Sequence, residues 1–346
     1  MSSPPEAQLE DGPRAPVLVT GATGFLGNSL VRRLLSGGAT VRVLTRSPAN
    51  ARPLIDLGAD VAIGDVTDRD AVQEAVDDAA IVFHLAGRLL VPGVCATEYQ
   101  RTHVEGTKVL LACCQRASRL ERFVHCSTTG VLGATGERPA DENAPIRPTN
   151  IYEATKAEAE RAVCDASQEG LRAVIVRPGL VYGPGDLHLL GFFRCVMRRQ
   201  FRPVGRRTVW LHPIYIDDLI EALVRCSGHP AAVSECFHIA GPEPVALAEL
   251  ADAIARAGGI RLPPGHIPLP AARAAALLGD QLPAKLRHSA PLTRSRLDFL
   301  THSRVYDVSK AKRVLGFAAP TDLRTGIAQT VRWYRQQRYL FANATP

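Results

Sequence analysis

No Cys-x-x-Cys pair occurs among the eight cysteines of this 346-residue chain. Cys95, Cys113, Cys114, Cys126, Cys164, Cys195, Cys226 and Cys236 sit mostly in apolar stretches. They are expected to be buried thiols of a reduced compartment, which argues against a disulfide framework and a metal site. The segment Met1 to Arg14 is polar, carries Pro4, Pro5 and Pro13, and lacks the apolar core of a signal peptide. Residues 1–14 are therefore expected to be a disordered tail, and a cytoplasmic location is the default expectation. No apolar run reaches the length of a membrane span, so no stable membrane insertion is expected. Aromatics are scarce, at 5%, and no basic stretch is interleaved with them. That argues against nucleic acid as the partner of a chain with net charge +7. The basic excess is spread along the chain, with one concentration from Arg194 to Arg207, and an anionic small molecule accounts for part of it.

What is present is a core and a rhythm. Hydrophobic residues make up 46% of the chain, enough to bury a large α/β unit with a smaller lobe. Strand-like runs Pro16–Thr20, Thr40–Thr45, the stretch holding Val61 and Ile63, Ala80–Leu85, Phe123–Ser127 and Ala173–Val176 alternate with helical segments. The helical segments are Phe25–Ser36, Asp68–Asp77, Thr107–Ala117 and Lys156–Ser167. Such alternation predicts a doubly wound parallel sheet of the Rossmann kind, with helices on both faces. The rhythm breaks after Pro178, returns at Ile216–Arg225 and Cys236–Ile239, and breaks again at Gly241. The expected division is a nucleotide-binding domain over 15–178 plus 212–240, and a discontinuous substrate lobe over 179–211 plus 241–335. The apolar helical patch Ala271–Leu278 is expected to be core of that lobe.

Thr20-Gly21-Ala22-Thr23-Gly24-Phe25-Leu26-Gly27 follows a strand and opens a helix. Gly21 permits the tight turn, Gly24 lets the backbone approach a pyrophosphate, and Gly27 allows close helix–sheet packing. The N–H groups around Thr23, Phe25 and Leu26 and the positive end of the helix dipole then face the phosphates. At the end of the next strand, Thr45 stands where an acid would bind a ribose 2′-OH, and Arg46 follows. An arginine there suits a 2′-phosphate, so NADP(H) is favoured, with NAD(H) left open. Asp65 and Val66 end the third strand, where a carboxylate can accept from an adenine amino group, and Leu85, Ala86 and Gly87 end the fourth beside a cofactor ribose.

Tyr152 and Lys156 lie four apart, on one face of a helix. A neighbouring ammonium and a cationic nicotinamide would lower a phenol from its ordinary value of about 10 and make it a usable acid/base. Thr128, in the run Ser127-Thr128-Thr129, sits 24 residues earlier at a strand end and offers a hydroxyl to a substrate oxygen.

These motifs, with His103-Val104-Glu105-Gly106-Thr107, the run Arg177-Pro178-Gly179-Leu180-Val181-Tyr182-Gly183, Tyr215-Ile216-Asp217-Asp218-Leu219 and the stretch 307–317, resemble the extended short-chain dehydrogenase/reductase superfamily over about residues 16–335. The resemblance implies substrate binding by Thr128, acid/base catalysis by Tyr152, and a Lys156 that holds the nicotinamide ribose and tunes Tyr152. It places Pro178 to Val181 around the nicotinamide. It implies a small-molecule substrate, and a homodimer through helices near 104–117 and 153–167. The last third, Pro291–Arg294 leading to Ser303–Asp307, is more similar to the 3β-hydroxysteroid dehydrogenase branch. Two departures stand out. His103 replaces the usual asparagine, either as its functional substitute or as a satisfied structural histidine. Leu211 replaces an arginine usual in enzymes of UDP-sugars, with Arg206 and Arg207 nearby as substitutes. The implied activity is interconversion of a secondary alcohol and a ketone on an apolar molecule, steroid-, terpenoid- or polyketide-like. A nucleotide-sugar epimerase or dehydratase, and a non-catalytic NADP-binding sensor, are the alternatives.

Overall fold

Strands buried on both faces read as unbroken apolar runs, because helices cover each side of the sheet. β1 (Val17–Thr20), β4 (Ile81–His84), β5 (Arg122–Cys126) and β6 (Ala173–Pro178) are buried along their whole length. β2 (Val41–Thr45) is nearly so, whereas β3 (Asp60–Ile63) is an edge strand and leaves Ile63 exposed. The computed structural model describes residues 16–91, 93–282 and 292–340. The tail expected over 1–14 and Pro291 lie outside the described residues. Within them β7 (Leu180–Tyr182), β8 (Trp210–Leu211), β9 (Pro213–Tyr215), β10 (Cys236–Ile239) and β11 (Val245–Ala246) complete the strands.

The main sheet has seven parallel strands in the order β10-β6-β5-β4-β1-β2-β3, the doubly wound pattern expected. Strand alternation splits its side chains into two cores. Val17, Val19, Val124 and Val176 face α1 (Phe25–Ser36) and α8 (Ile216–Gly228). Leu18, Val82, Phe123 and Ile175 face α3 (Arg69–Val76), α5 (Gly106–Cys114) and α6 (Ile151–Gln168). The first core runs on into α9 (Leu247–Gly258) and the helix Leu323–Gln336, through Leu250, Ile254, Ile327 and Val331. β7 pairs with β9 and β8 with β11 beside it.

Several sequence expectations need correction. The helix expected from Thr107 begins at Ala96 and passes through a π-helical stretch, Gln100–Glu105, before Gly106. Gly106 is what allows this path: a Cβ there would sit 2.6 Å from Cγ2 of Val66. The helix that carries Tyr152 and Lys156 begins at Ile151, capped by Asn150, whose side chain accepts from the Glu153 N–H. The apolar patch 271–278 is helical, over Leu269–Gln281, but only Ala272, Ala276 and Gly279 are buried; Leu277 and Leu278 are exposed. The small residues make the packing stripe, so helical rotation turns the leucines outward. Cys95 and Cys164 are likewise exposed rather than buried. No helix among the described residues is long and apolar enough to cross a membrane.

Candidate active site

Six of the seven strands of the central sheet have a candidate residue at or just beyond their C-terminal ends, and the strand order reverses between β1 and β4. At that switch point Gly21 turns with φ +71°, a conformation side chains rarely adopt. A Cβ on it would lie 2.7 Å from Leu85 O and Ala86 N. Leu85 and Ala86 therefore press directly on the turn. A Cβ on Gly27 would lie 2.2 Å from Gly21 O, so α1 can pack this closely only without a side chain there. Gly24 is the N-cap of α1, with no side-chain cap and no acidic residue in the first turn. The leading N–H groups near Phe25 and Leu26 thus lack a side-chain acceptor and suit an anion. Thr23 and Gly24 are exposed, and a cleft of about 820 Å³ opens over them, lined also by Phe25, Asn28 and Gly185. This cradle fits a dinucleotide pyrophosphate.

Arg46 leaves β2 with its side chain 72% exposed, its Nη1 3.7 Å from Asp65 Oδ2. Thr45 is turned into the chain, exchanging hydrogen bonds with Ser47. Burial tends to raise the Asp65 carboxyl, but two hydrogen bonds from Thr67 and the charges of Arg101 and Arg46 hold it below its ordinary value. Val66 is buried and supports Gly106, while Gly87 is exposed beside the His103 ring.

Thr128 follows β5, half-buried, and its oxygen accepts from the Gly130 N–H at 3.0 Å. Its hydroxyl faces the Tyr152 phenol closely enough to favour the phenolate. Thr129 points away and donates to Pro178 O at 2.9 Å, which ties the β5 and β6 ends together. Val181 follows in β7, half-buried. Ser127 Oγ is buried and finds no partner among the described residues. Lys156 is buried one helical turn beyond Tyr152 and donates to Cys126 O at 2.6 Å. Burial lowers its ammonium, with Cys126 and Glu160 acting against that. The Tyr152 phenol is pushed up from its ordinary value, first by burial and then by Cys126 and Glu153, while Thr128 opposes this. The lowering expected from Lys156 is therefore not met by the protein alone. Desolvation dominates, and a cationic ring bound at the site would supply an opposing charge.

A buried polar network beneath these groups escaped the sequence reading. His84 on β4 pairs in register with Thr20 on β1, and Thr20 Oγ1 lies 2.8 Å from His84 Nδ1. His84 Nε2 lies 2.9 Å from Thr107 Oγ1, whose hydrogen goes to His103 O. His125, next in register on β5, is fully buried with both ring nitrogens unpartnered among the described residues. Histidines at the ends of two adjacent strands were the available signal. Burial and the Lys156 charge hold His84 and His103 at about 3. A base held below its unfolded value of about 6.5 binds a proton only on unfolding in that window, so stability rises with pH across it. The unfolding free energy is expected to fall as pH drops from about 6.5, by up to about 1.4 kcal/mol per pH unit for each histidine. Calorimetry comparing wild type with His84→Gln checks this; an equal pH slope in both removes His84 from the account.

Leu211 is 2% exposed and belongs to the core. Arg206 and Arg207 are exposed and line a separate cavity of about 210 Å³ with Val204, Leu247 and Leu300. Among the described residues no group of histidine, cysteine or acidic side chains is arranged to hold a metal ion.

Residues 17–240 match the model of the NAD dependent epimerase/dehydratase family. The chain is 32% identical over 317 residues to the 4-hydroxy-2-methyl-3-oxo-4-farnesyl-3,4-dihydroquinoline-1-oxide ketoreductase of Stigmatella aurantiaca, covering 89% of this chain and 93% of that one. It is 30% identical over 337 residues to the 3 beta-hydroxysteroid dehydrogenase/Delta 5-->4-isomerase of Mycobacterium tuberculosis, covering 92% and 90%. The solved structure of MoeE5 in complex with UDP-glucose and NAD superposes with a TM-score of 0.74 at 26% identity, over 93% of this chain and 99% of that one. With the phosphate cradle at the sheet's switch point and the Thr128, Tyr152 and Lys156 group beside it, these matches show that the chain belongs to the NAD-dependent epimerase/dehydratase family, as an enzyme of the extended short-chain dehydrogenase/reductase type.

Proposed function

We propose that this enzyme interconverts a secondary alcohol and a ketone on an apolar small molecule, steroid-, terpenoid- or polyketide-like, with NADP(H) as its cofactor. The observation that carries the reading is Thr128 at the end of β5 facing Tyr152, with Lys156 one turn further along α6 and bonded to Cys126 O, at the strand ends that face the phosphate cradle. The bound nicotinamide supplies or accepts the hydride. Thr128 holds the substrate oxygen, and Tyr152 gives that oxygen its proton in reduction and takes it in oxidation. Because burial keeps the phenol protonated in the protein alone, Tyr152 is set for the acid role. Lys156 holds the nicotinamide ribose, and Pro178 and Val181 flank the ring. The division at residues 178, 212 and 241, and a homodimer through helices near 104–117 and 153–167, belong to the same proposal.

Two relatives at 30–32% identity are named for a ketoreductase and a steroid dehydrogenase, which supports the apolar substrate class. The MoeE5 complex favours a second reading, a nucleotide-sugar enzyme with a transiently reduced NAD. Leu211 in the core speaks against it. For a dehydratase, the positions after Thr128 also speak against it, since Thr129 and Gly130 offer no acid.

NADPH is expected to bind more tightly than NADH and to be consumed with ketones from an apolar panel. Arg46→Ala should weaken NADPH by about 10- to 100-fold and leave NADH unchanged. Fluorescence titration and nicotinamide absorbance read both. Tightly retained NAD without net turnover would establish the epimerase reading instead.

A further inference from the structure

His103 is 1% exposed, and its two ring nitrogens have different partners. Nε2 accepts from the backbone N–H of Arg88 at 2.9 Å, in the loop that follows β4. A backbone N–H can only donate, so Nε2 carries no proton. Nδ1 lies 2.8 Å from Thr155 Oγ1 on α6. That hydroxyl spends its own hydrogen on Ile151 O at 2.8 Å, with Tyr152 O at 3.1 Å. It must therefore accept, and Nδ1 must carry the ring's single proton. The ring edge also meets the Tyr152 ring, with centroids 5.5 Å apart at 78°, and Tyr99 lies against its other side at 5.8 Å. Tyr99 in turn uses its hydroxyl to hold the same loop, accepting from Val91 N and donating to Leu89 O.

From this geometry we infer that His103 is a positioning residue, a neutral imidazole locked as the Nδ1–H tautomer that clamps the loop after β4 to the catalytic helix and fixes the Tyr152 ring. The acceptor and donor on one planar ring do what a carboxamide's oxygen and nitrogen do, so asparagine is a short replacement that offers both. The π-helical stretch Gln100–Glu105 gives His103 its aim, since it adds a residue to the turn and rotates the side chains that follow. Burial next to the Lys156 ammonium keeps the ring from taking a second proton, which would turn Nε2 into a donor facing another donor. His103 therefore does not shuttle protons.

The effect on turnover rests on the ketoreductase reading; the tautomer does not. Two measurements separate them. In protein carrying ¹⁵N-histidine, with the His103 signals identified by their loss in His103→Asn, the ring should be the Nδ1–H form and should not titrate between about pH 5 and 8. An Nε2–H ring, or one that titrates in that range, overturns the inference. His103→Ala should lower kcat by about 10- to 100-fold with little change in NADPH affinity. It should also shift the alkaline limb of the kcat profile to lower pH, as water reaches the phenol. His103→Asn should restore both to within about threefold of wild type. A purely structural role would lower the melting temperature and leave the limb in place. If wild type turns over no ketone, the reductase reading fails and the ¹⁵N result still decides this one.

Discussion

Replacing Tyr152 with phenylalanine is expected to lower turnover by about 10²- to 10⁴-fold, the range that a positioned general acid contributes. The substitution removes one oxygen and leaves the ring, so the edge contact with His103 and the packing of α6 survive. Thr128 keeps the Gly130 N–H. NADPH affinity should change little, because the cradle over Gly21 to Gly27 is built by β1 and α1 and does not use the phenol oxygen. Single-turnover absorbance with saturating NADPH reads the chemical step, and fluorescence titration reads binding. Wild-type turnover in Tyr152→Phe would remove the phenol from the mechanism. Loss of NADPH binding with turnover would mean that the change had damaged the fold.

The second large effect is expected at a pair that touches no reacting group. Arg177 on β6 and Glu160 on α6 form a bidentate ion pair, at 2.7 Å from Nη2 and 3.0 Å from Nε, with side chains 7% and 3% exposed. Glu160 lies one further turn along the face that carries Tyr152 and Lys156, so the pair pins α6 to the sheet. Burial tends to lower the guanidinium, but the Glu160 hydrogen bonds and charge raise it above its ordinary value. Removing one partner strands a buried charge. Arg177→Met should therefore lower the unfolding free energy by about 3–5 kcal/mol. The double change Arg177→Met with Glu160→Leu should recover most of that, since an apolar pair of similar volume avoids the desolvation cost. Urea unfolding of the single and double variants tests this. A single variant as stable as wild type would show that the pair contributes nothing net.

Much of this molecule was legible in one dimension. Apolar runs such as Val17-Leu18-Val19 can be nothing but interior strands in a chain whose helices alternate with them, and that alternation determines a parallel sheet. The spacing of Gly21, Gly24 and Gly27 marks the turn, because Gly24 and Gly27 answer steric demands made by Gly21 and Ala22 close by in the chain, although Gly21 itself makes room for the distant Leu85 and Ala86. The pairing of Tyr152 with Lys156 follows from helix periodicity alone. Other features needed the assembled fold. That Lys156 spends a hydrogen bond on Cys126 O, that Thr129 is structural while Thr128 meets Tyr152, and that Leu277 and Leu278 turn outward depend on residues brought together from distant segments. The direction of the Tyr152 shift is of the same kind, since desolvation is a property of everything packed around a group rather than of its neighbours in the chain. The role of His103 is decided in the same way: the residue stands in the sequence as a departure with two readings, and only the backbone of Arg88 on one side and Thr155 on the other assign its proton.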